Sequence, residues 1–265
     1  MRQYISQKNL DAQGLLTIIG KDYRYLRNVL RLSAGDMIHV RLADGTLQAM
    51  TVCMIDEKGK KITLQVCDTL EADGGENQPE ETESIESTEF MLFMAVPKSS
   101  KFDLIVRQAT ECGVSRIIPV QTEFSQDGGE KMNFRSQRFE RIIKEARQQS
   151  GSPVNTQIED CLSLGEAASL WKSESELLAE SESLALVLYE RNDSTVTIFE
   201  ATDKIRSSGS GLKKAAIFCG SEGGISPGEI EILRAVGFVP VHLKTNILRC
   251  ETAALYGIAS LQSLL

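Results

Sequence analysis

The chain has 265 residues, 42% hydrophobic and 25% charged, with a net charge of −8. That length supports one large or two small domains with proper cores. No run approaches the ~18 apolar residues of a membrane span, and residues 1–8 lack the apolar core and cleavage site of a signal peptide.

Six cysteines (Cys53, Cys67, Cys112, Cys161, Cys219, Cys250) are scattered without any C-x-x-C pair, and only His39 and His242 could join them. No metal site is expected. The thiols are expected to be reduced and packed as small hydrophobes in a cytoplasmic protein.

The acidic balance argues at first against a nucleic-acid binder. Its distribution changes that reading. Residues 68–89 hold nine acids and no Lys or Arg, so the rest of the chain carries +1. Residues 1–67 carry ten basic against six acidic side chains. A basic N-terminal region beside a nearly neutral remainder is compatible with RNA binding.

In chain order, a helix is expected near 22–30, then strands at 37–42, 47–55 and 61–66 separated by Gly35-Asp36, Asp44-Gly45 and Lys58-Gly59-Lys60 turns. This spacing reads as a small β-barrel domain over 1–70. Arg24, Arg27 and Arg31 fall at helical spacing and could form a phosphate-binding stripe or an ordinary solvated face. Residues 71–89 are acidic and almost free of apolar side chains, which reads as a flexible linker.

From residue 90 the rhythm becomes strand–helix alternation. Strands are expected at 90–96, 116–120, 154–158 and 184–189. Helices are expected at 101–112, 135–150, 164–180 and 196–205, with a linker at 207–211. A strand at 216–219 then enters the glycine-rich loop Gly220-Ser221-Glu222-Gly223-Gly224. Ser226, Pro227 and Glu229 are the N-cap, first-turn proline and capping-box acid of the next helix, and Gly237 stops it. A strand at 238–243 feeds a polar loop at 244–249 and a final apolar helix. Residues 90–265 therefore read as an α/β domain with a mostly parallel sheet, and its two loop-opened helices form a ligand crevice.

Several blocks resemble one family. They are Gly220–Glu229 (G-S-E-G-G-I-S-P-G-E), Leu243–Ala253 (L-K-T-N-I-L-R-C-E-T-A), Lys98–Asp103 with Ala109–Val114, Glu145–Gly151, and Tyr25–Leu32 with Gly35-Asp36. Standing in order over most of the chain, they are similar to the RsmE family of the SPOUT superfamily. That family methylates N3 of a uridine in 16S ribosomal RNA with S-adenosylmethionine. Ser221, Lys244 and Cys250 stand where the family has proline, glycine and threonine. The first change is expected to loosen its loop, and the second removes a residue that tolerates positive φ.

The resemblance implies a PUA-like N-terminal β-barrel, a trefoil knot in the C-terminal domain and a homodimer acting on ribosomal RNA of the small subunit. True knots are nearly absent among folds, so the knot rests on the resemblance alone. The cofactor is implied to lie among Leu188, Tyr189, Glu190, Gly220, Ser221, Glu222, Gly223, Leu243, Asn246, Ile247 and Leu248. A valine at Gly223 is expected to obstruct it. Lys98 and Lys101 join the three arginines as candidate RNA contacts.

Methylating uracil N3 requires loss of a proton, an aligned methyl donor and stabilisation of charge on the flanking carbonyls. Arg249 is the candidate to hold a phosphate or a uracil carbonyl, or else it clamps a loop carboxylate. Glu251 either caps the final helix or acts as base, a role Glu222 and Glu190 could also fill, or there is no protein base. His242 lies within a strand and is expected to be packed. The final helix carries Ala253, Ala254, Leu255, Ile258, Ala259, Leu261, Leu264 and Leu265, more apolar surface than one core stripe needs, which supports the dimer. A different class, a non-catalytic RNA-binding or ribosome-assembly factor retaining the fold, stays open. A Rossmann oxidoreductase does not, because no G-x-G-x-x-G follows the first strand.

Overall fold

The computed structural model describes residues 3–67, 88–125, 134, 136–191, 195–208 and 211–265. The acidic linker expected at 71–89 therefore lies outside the described residues except for its last two, and Glu89 already opens a strand. The chain divides into two compact units, 1–82 with 147–153, and 83–146 with 154–265. Among the described residues no helix is long and apolar enough to cross a membrane.

The first unit contains β1 (Gln3–Ile5), β2 (Leu15–Ile19), α1 (Gly20–Arg24), a π-helical turn (Tyr25–Val29), β3 (Met37–Arg41), β4 (Leu47–Asp56) and β5 (Lys61–Val66). They form a five-stranded sheet in the order β1-β3-β4-β5-β2. Strand alternation sends Leu16, Ile18, Ile38, Val40, Met50, Val52, Ile62 and Leu64 into one core with Tyr4, Tyr23 and Leu26. The hairpins were legible from their turn residues. β1, of three residues, and β2, which pairs with β5 across the intervening hairpins, were not.

The helix expected at 22–30 is a single α-turn followed by the π-turn. Leu30 N–H donates to the Tyr25 carbonyl at 3.0 Å, five residues back. Only Tyr23 and Leu26 of this segment are buried, so tertiary packing outweighs helix propensity. The arginine stripe is broken as a result. Arg31 sits past the turn at φ 58°. Arg27 donates to the Leu32 carbonyl and to Glu57, the latter at 2.8 Å. Arg24 remains exposed.

The second unit begins with β6 (Glu89–Ala95), α2 (Ser99–Glu111), β7 (Arg116–Gln121), α3 (Gln137–Ser150, whose residues 147–150 are counted with the first unit), β8 (Gln157–Ile158), β9 (Leu162–Ser163) and α4 (Leu164–Ser175). It continues with β10 (Ser183–Leu188), β11 (Val196–Thr197), α5 (Ile198–Ala201), α6 (Asp203–Ser208), β12 (Lys214–Cys219), α7 (Pro227–Ala235), β13 (Phe238–His242) and α8 (Cys250–Gln262). The sheet runs β11-β13-β10-β12-β6-β7-β8, with β9 also on β7, and every pairing in it is parallel.

Both faces of the sheet are covered, so its central strands read as continuous apolar runs. Leu92, Met94, Leu186, Ile217 and Val241 face α2, α3 and α8 through Phe102, Ile143, Ala254 and Ile258. Met91, Phe93, Val187 and Phe218 face α4 and α7 through Trp171, Ile230 and Leu233. Phe93, Phe218 and Phe238 pack with centroids 5.7–6.4 Å apart, two of the pairs edge-on. At the opposite end of the strands from the loops described below, Arg116 and Lys214 bind Glu174 jointly, with Glu159 3.2 Å from Arg116 and Glu89 3.1 Å from Lys214. Burial raises the Glu174 carboxyl, but the two cations outweigh it and hold it below its ordinary range.

Three expected elements differ. The strand at 154–158 shrinks to two residues, because the buried Thr156 hydroxyl donates to the Val114 carbonyl at 2.8 Å and replaces ladder pairing. The helix at 164–180 ends at Ser175. The helix at 196–205 is split. Thr197 and Glu200 form a capping box that starts α5 at Ile198 and leaves Val196–Thr197 to pair with β13. The expected linker at 207–211 begins inside α6, and 209–210 lie outside the described residues. None of the six cysteines is in a disulfide; Cys219 and Cys250 pack in the core, whereas Cys53 is exposed.

Candidate active site

The three loops that follow β10, β12 and β13 leave the same end of the parallel sheet, where open α/β sheets place their ligands. They enclose a cavity of about 590 Å³, within the range of small-molecule sites. Leu188, Tyr189 and Glu190 line it from the first loop. Gly220, Ser221, Glu222 and Gly223 line it from the second, and Leu243, Asn246, Ile247 and Leu248 from the third. These are the eleven positions implied by the family resemblance, so three segments distant in sequence meet around one space. Lys101, Arg249 and Cys250 also reach its wall.

The glycine loop doubles back on itself. Gly224 N–H donates to the Ser221 carbonyl at 3.0 Å, and a Cβ on Gly220 would lie 2.8 Å from the Gly224 carbonyl carbon. Gly224 itself sits at φ 77°, where a side chain is strained. Ser226 then caps α7, its hydroxyl accepting from Glu229 N–H while Glu229 accepts from Ser226 N–H. The other Glu229 oxygen accepts from Glu123 N–H at 2.7 Å. One buried carboxylate thus fixes both the start of α7 and the loop after β7.

That loop, 122–125, packs against the glycine loop, a contact that no motif announces. A Cβ on Gly223 would stand 2.6 Å from Phe124 Cβ. The glycine is therefore required for close approach of Phe124, beside its place in the cavity lining. Ser221 was expected to loosen the loop by replacing proline. Instead it is buried and donates its hydroxyl to the Phe124 carbonyl at 2.6 Å, tying the two loops together.

Lys244 raises no backbone conflict. Among the described residues only Arg31 and Lys60 are non-glycine residues with positive φ. Thr245 N–H reaches back to the Leu243 carbonyl at 2.7 Å, a tight turn centred on Lys244 that needs no left-handed residue. Ile247 at the tip of this loop is 85% exposed. Gly257 lets α8 approach the end of β10, since a Cβ there would lie 2.9 Å from Leu188 Cδ1.

Charge at the cavity rim is organised around Lys101. Its ammonium lies 3.1 Å from Glu222 and 3.5 Å from Glu251, and the Lys98 backbone N–H donates to Glu222 at 3.3 Å. Lys101 was expected to contact RNA; here it is engaged by two carboxylates, while the Lys98 side chain stays exposed. Burial raises both carboxyls, yet their own backbone N–H groups and Lys101 outweigh it and hold them below the ordinary glutamate range. Glu251 lies in the first turn of α8, whose N-cap residue is Arg249, and its carboxylate accepts there from its own backbone N–H. It also accepts from the Cys250 thiol at 3.3 Å. Burial and this carboxylate push that thiol up to about 12, so it stays protonated and is no nucleophile.

Arg249 is exposed, and its guanidinium makes no hydrogen bond or ion pair with other described residues, so it is not a loop clamp. His242 ends β13 with Nδ1 3.0 Å from the Thr195 hydroxyl and lines the cavity. The Lys101 pairing and the Phe124 contact join residues more than 90 positions apart, and only tertiary structure reveals them.

A family model described as an RNA methyltransferase domain matches residues 84–262, which defines the class of protein this fold and cavity represent. The ribosomal RNA small subunit methyltransferase E of Aquifex aeolicus is 30% identical over 85% of this chain and 90% of its own length. The ribosomal RNA small subunit methyltransferase E 2 of Borreliella burgdorferi is 28% identical over 100% and 98%. A crystal structure of the Neisseria gonorrhoeae methyltransferase E bound to S-adenosyl methionine shares the fold, with TM-score 0.73 and 23% identity over 100% of this chain and 98% of that one. The chain belongs to the ribosomal RNA small subunit methyltransferase E family of RNA methyltransferases.

Proposed function

We propose that this protein is an S-adenosylmethionine-dependent methyltransferase that modifies N3 of a uridine in 16S ribosomal RNA of the small subunit. One observation carries the reading: the two motif-bearing loops after β12 and β13 converge with the loop after β10 on a single cavity of cofactor size. The residues fit the cofactor. Gly220 and Gly224 keep the loop backbone bare, the wall mixes Leu188, Leu248 and Ile247 with polar backbone, and carboxylates face a ligand that carries two positive groups.

When bound, S-adenosylmethionine supplies an electrophilic methyl group on a sulfonium sulfur. The chain's own work is to hold and orient. Arg249, the unengaged cation at the rim, is assigned to a phosphate or a uracil carbonyl of the substrate. Glu251 is a poor proton acceptor, because its own backbone N–H, the Cys250 thiol and Lys101 together stabilise its charged form against burial. Its assigned role is to position Lys101, which leaves uracil N3 to lose its proton to water or to another group.

In the same reading the first unit is a PUA-like barrel that contacts RNA through Arg24, Arg31 and neighbouring cations, with 1–70, 71–89 and 90–265 as domain, linker and domain. The C-terminal part is a trefoil knot. The active form is a cytoplasmic homodimer, for which Tyr256, 45% exposed on α8, offers outward apolar surface. Support for these features comes from the family motifs.

The test is transfer of labelled methyl from S-adenosylmethionine to isolated small subunits and to naked 16S RNA, with mass mapping of the product. A 3-methyluridine is expected. Cofactor binding without transfer to either substrate would favour the assembly-factor reading instead.

A further inference from the structure

We infer that Glu190 is the charge by which this cavity prefers the sulfonium cofactor over its demethylated product. The inference rests on the methyltransferase reading above. Its starting point is an asymmetry among the acids of the site. Glu222 and Glu251 share Lys101, whereas Glu190 makes no hydrogen bond or ion pair with any other described residue.

Glu190 nevertheless has a made place. It follows β10 directly and lines the cavity. Its carboxylate sits over Gly224, where a Cβ would stand 2.9 Å from Oε1 and 3.4 Å from Oε2. A side chain at 224 would displace that carboxylate, so the bare glycine keeps it against the cavity wall. An acid placed in this way without a protein partner is counter-charge for a ligand.

The ligand chemistry then decides what the charge does. S-adenosylmethionine carries a sulfonium, an ammonium and a carboxylate, net +1. Transfer of the methyl group takes the positive charge with it and leaves S-adenosylhomocysteine, a neutral thioether with the same ammonium and carboxylate. Glu190, Glu222 and Glu251 against Lys101 and Arg249 give this rim a net −1. A unit charge facing the sulfonium across a partly solvated gap is worth about 1 kcal/mol, or about five-fold in affinity. The same charge does nothing for the thioether. Product release is thereby favoured by the reaction itself.

The test is calorimetric titration of the wild-type chain and the E190Q variant with S-adenosylmethionine, S-adenosylhomocysteine and sinefungin. In sinefungin a protonated amine replaces the sulfonium methyl, so its charge matches the cofactor's. Glu190 is exposed and unpaired, so E190Q is expected to melt with wild type. The variant should lose about five-fold for the cofactor and for sinefungin, and less than two-fold for the product. Equal losses for all three ligands would mean that Glu190 holds the shared ammonium, and would overturn the inference while leaving the methyltransferase reading intact. Wild-type protein that binds none of them would overturn that reading, and this inference with it.

Discussion

The Ser221 hydroxyl donates to the Phe124 carbonyl across 2.6 Å and joins two loops 97 residues apart. Replacing Ser221 by alanine leaves that part-buried carbonyl without its donor. The expected cost is about 1 kcal/mol, read as a fall of about 2–4 °C in the unfolding midpoint for a unit of this size. An unchanged midpoint in scanning calorimetry would show that the tie contributes nothing.

Gly223 and Phe124 should behave as a coupled pair. A G223A substitution puts Cβ 2.6 Å from Phe124 Cβ, and overpacking of this kind costs about 1–3 kcal/mol. An F124G change removes the obstructing atoms. In a double-mutant cycle the pair should therefore lose less than the sum of its single changes. Strict additivity of the two denaturation free energies would refute the contact.

The Lys101 cluster sets a pH window. Glu222 and Glu251 have folded values below the ordinary glutamate value of about 4.3, so their contribution is complete above that pH and fades as pH falls through the folded values. Hydrogen bonding to Glu222 raises Lys101, so its part is complete below the ordinary lysine value and is lost as pH rises through the folded one. Between roughly pH 5 and 10 the cluster should be constant. In a K101M variant, carbon-13 titration should find both carboxyls moved upward; unmoved titration curves would show that Lys101 is not their partner.

The dimer must be probed on the outer side of α8. Ala254 and Ile258 are 1% and 3% exposed and sit in the core against the sheet. A glutamate at either position buries an unpaired charge and should abolish folding, which would say nothing about association. Y256E changes an exposed position and should leave the fold stable. Light scattering of Y256E is expected to show a smaller species with reduced methyl transfer. A fully active monomeric wild type would defeat the proposed dimer.

How much was readable beforehand depended on whether a residue's role is local. The box Ser226-Pro227-Gly228-Glu229 announces a helix start within four residues, and the structure forms it as read. Thr197 and Glu200 make an equivalent box that was readable too, but the apolar run around it suggested one continuous helix. The cavity loops after β12 and β13 were found because their glycines and polar residues recur as motifs, whereas the loop after β10 was placed by the family resemblance alone. Phe124 could not be found, since its contacts with Gly223 and Ser221 depend on where β7 ends relative to β12. Lys101 was recognised as functional but assigned to RNA, because sequence shows a cation and not the two carboxylates that hold it.

The order β13-β10-β12 has a thermodynamic reach beyond placing the loops. The chain makes β10, then β12, then crosses to the far side of β10 to make β13. No pair of neighbouring segments contains a half-built cavity, because each wall is positioned by a strand that pairs outside its own neighbourhood. Ligand occupancy and cooperative unfolding of this unit are consequently one linked equilibrium. A saturating cofactor should raise the midpoint of the whole transition and slow amide exchange in strands far from any bound atom.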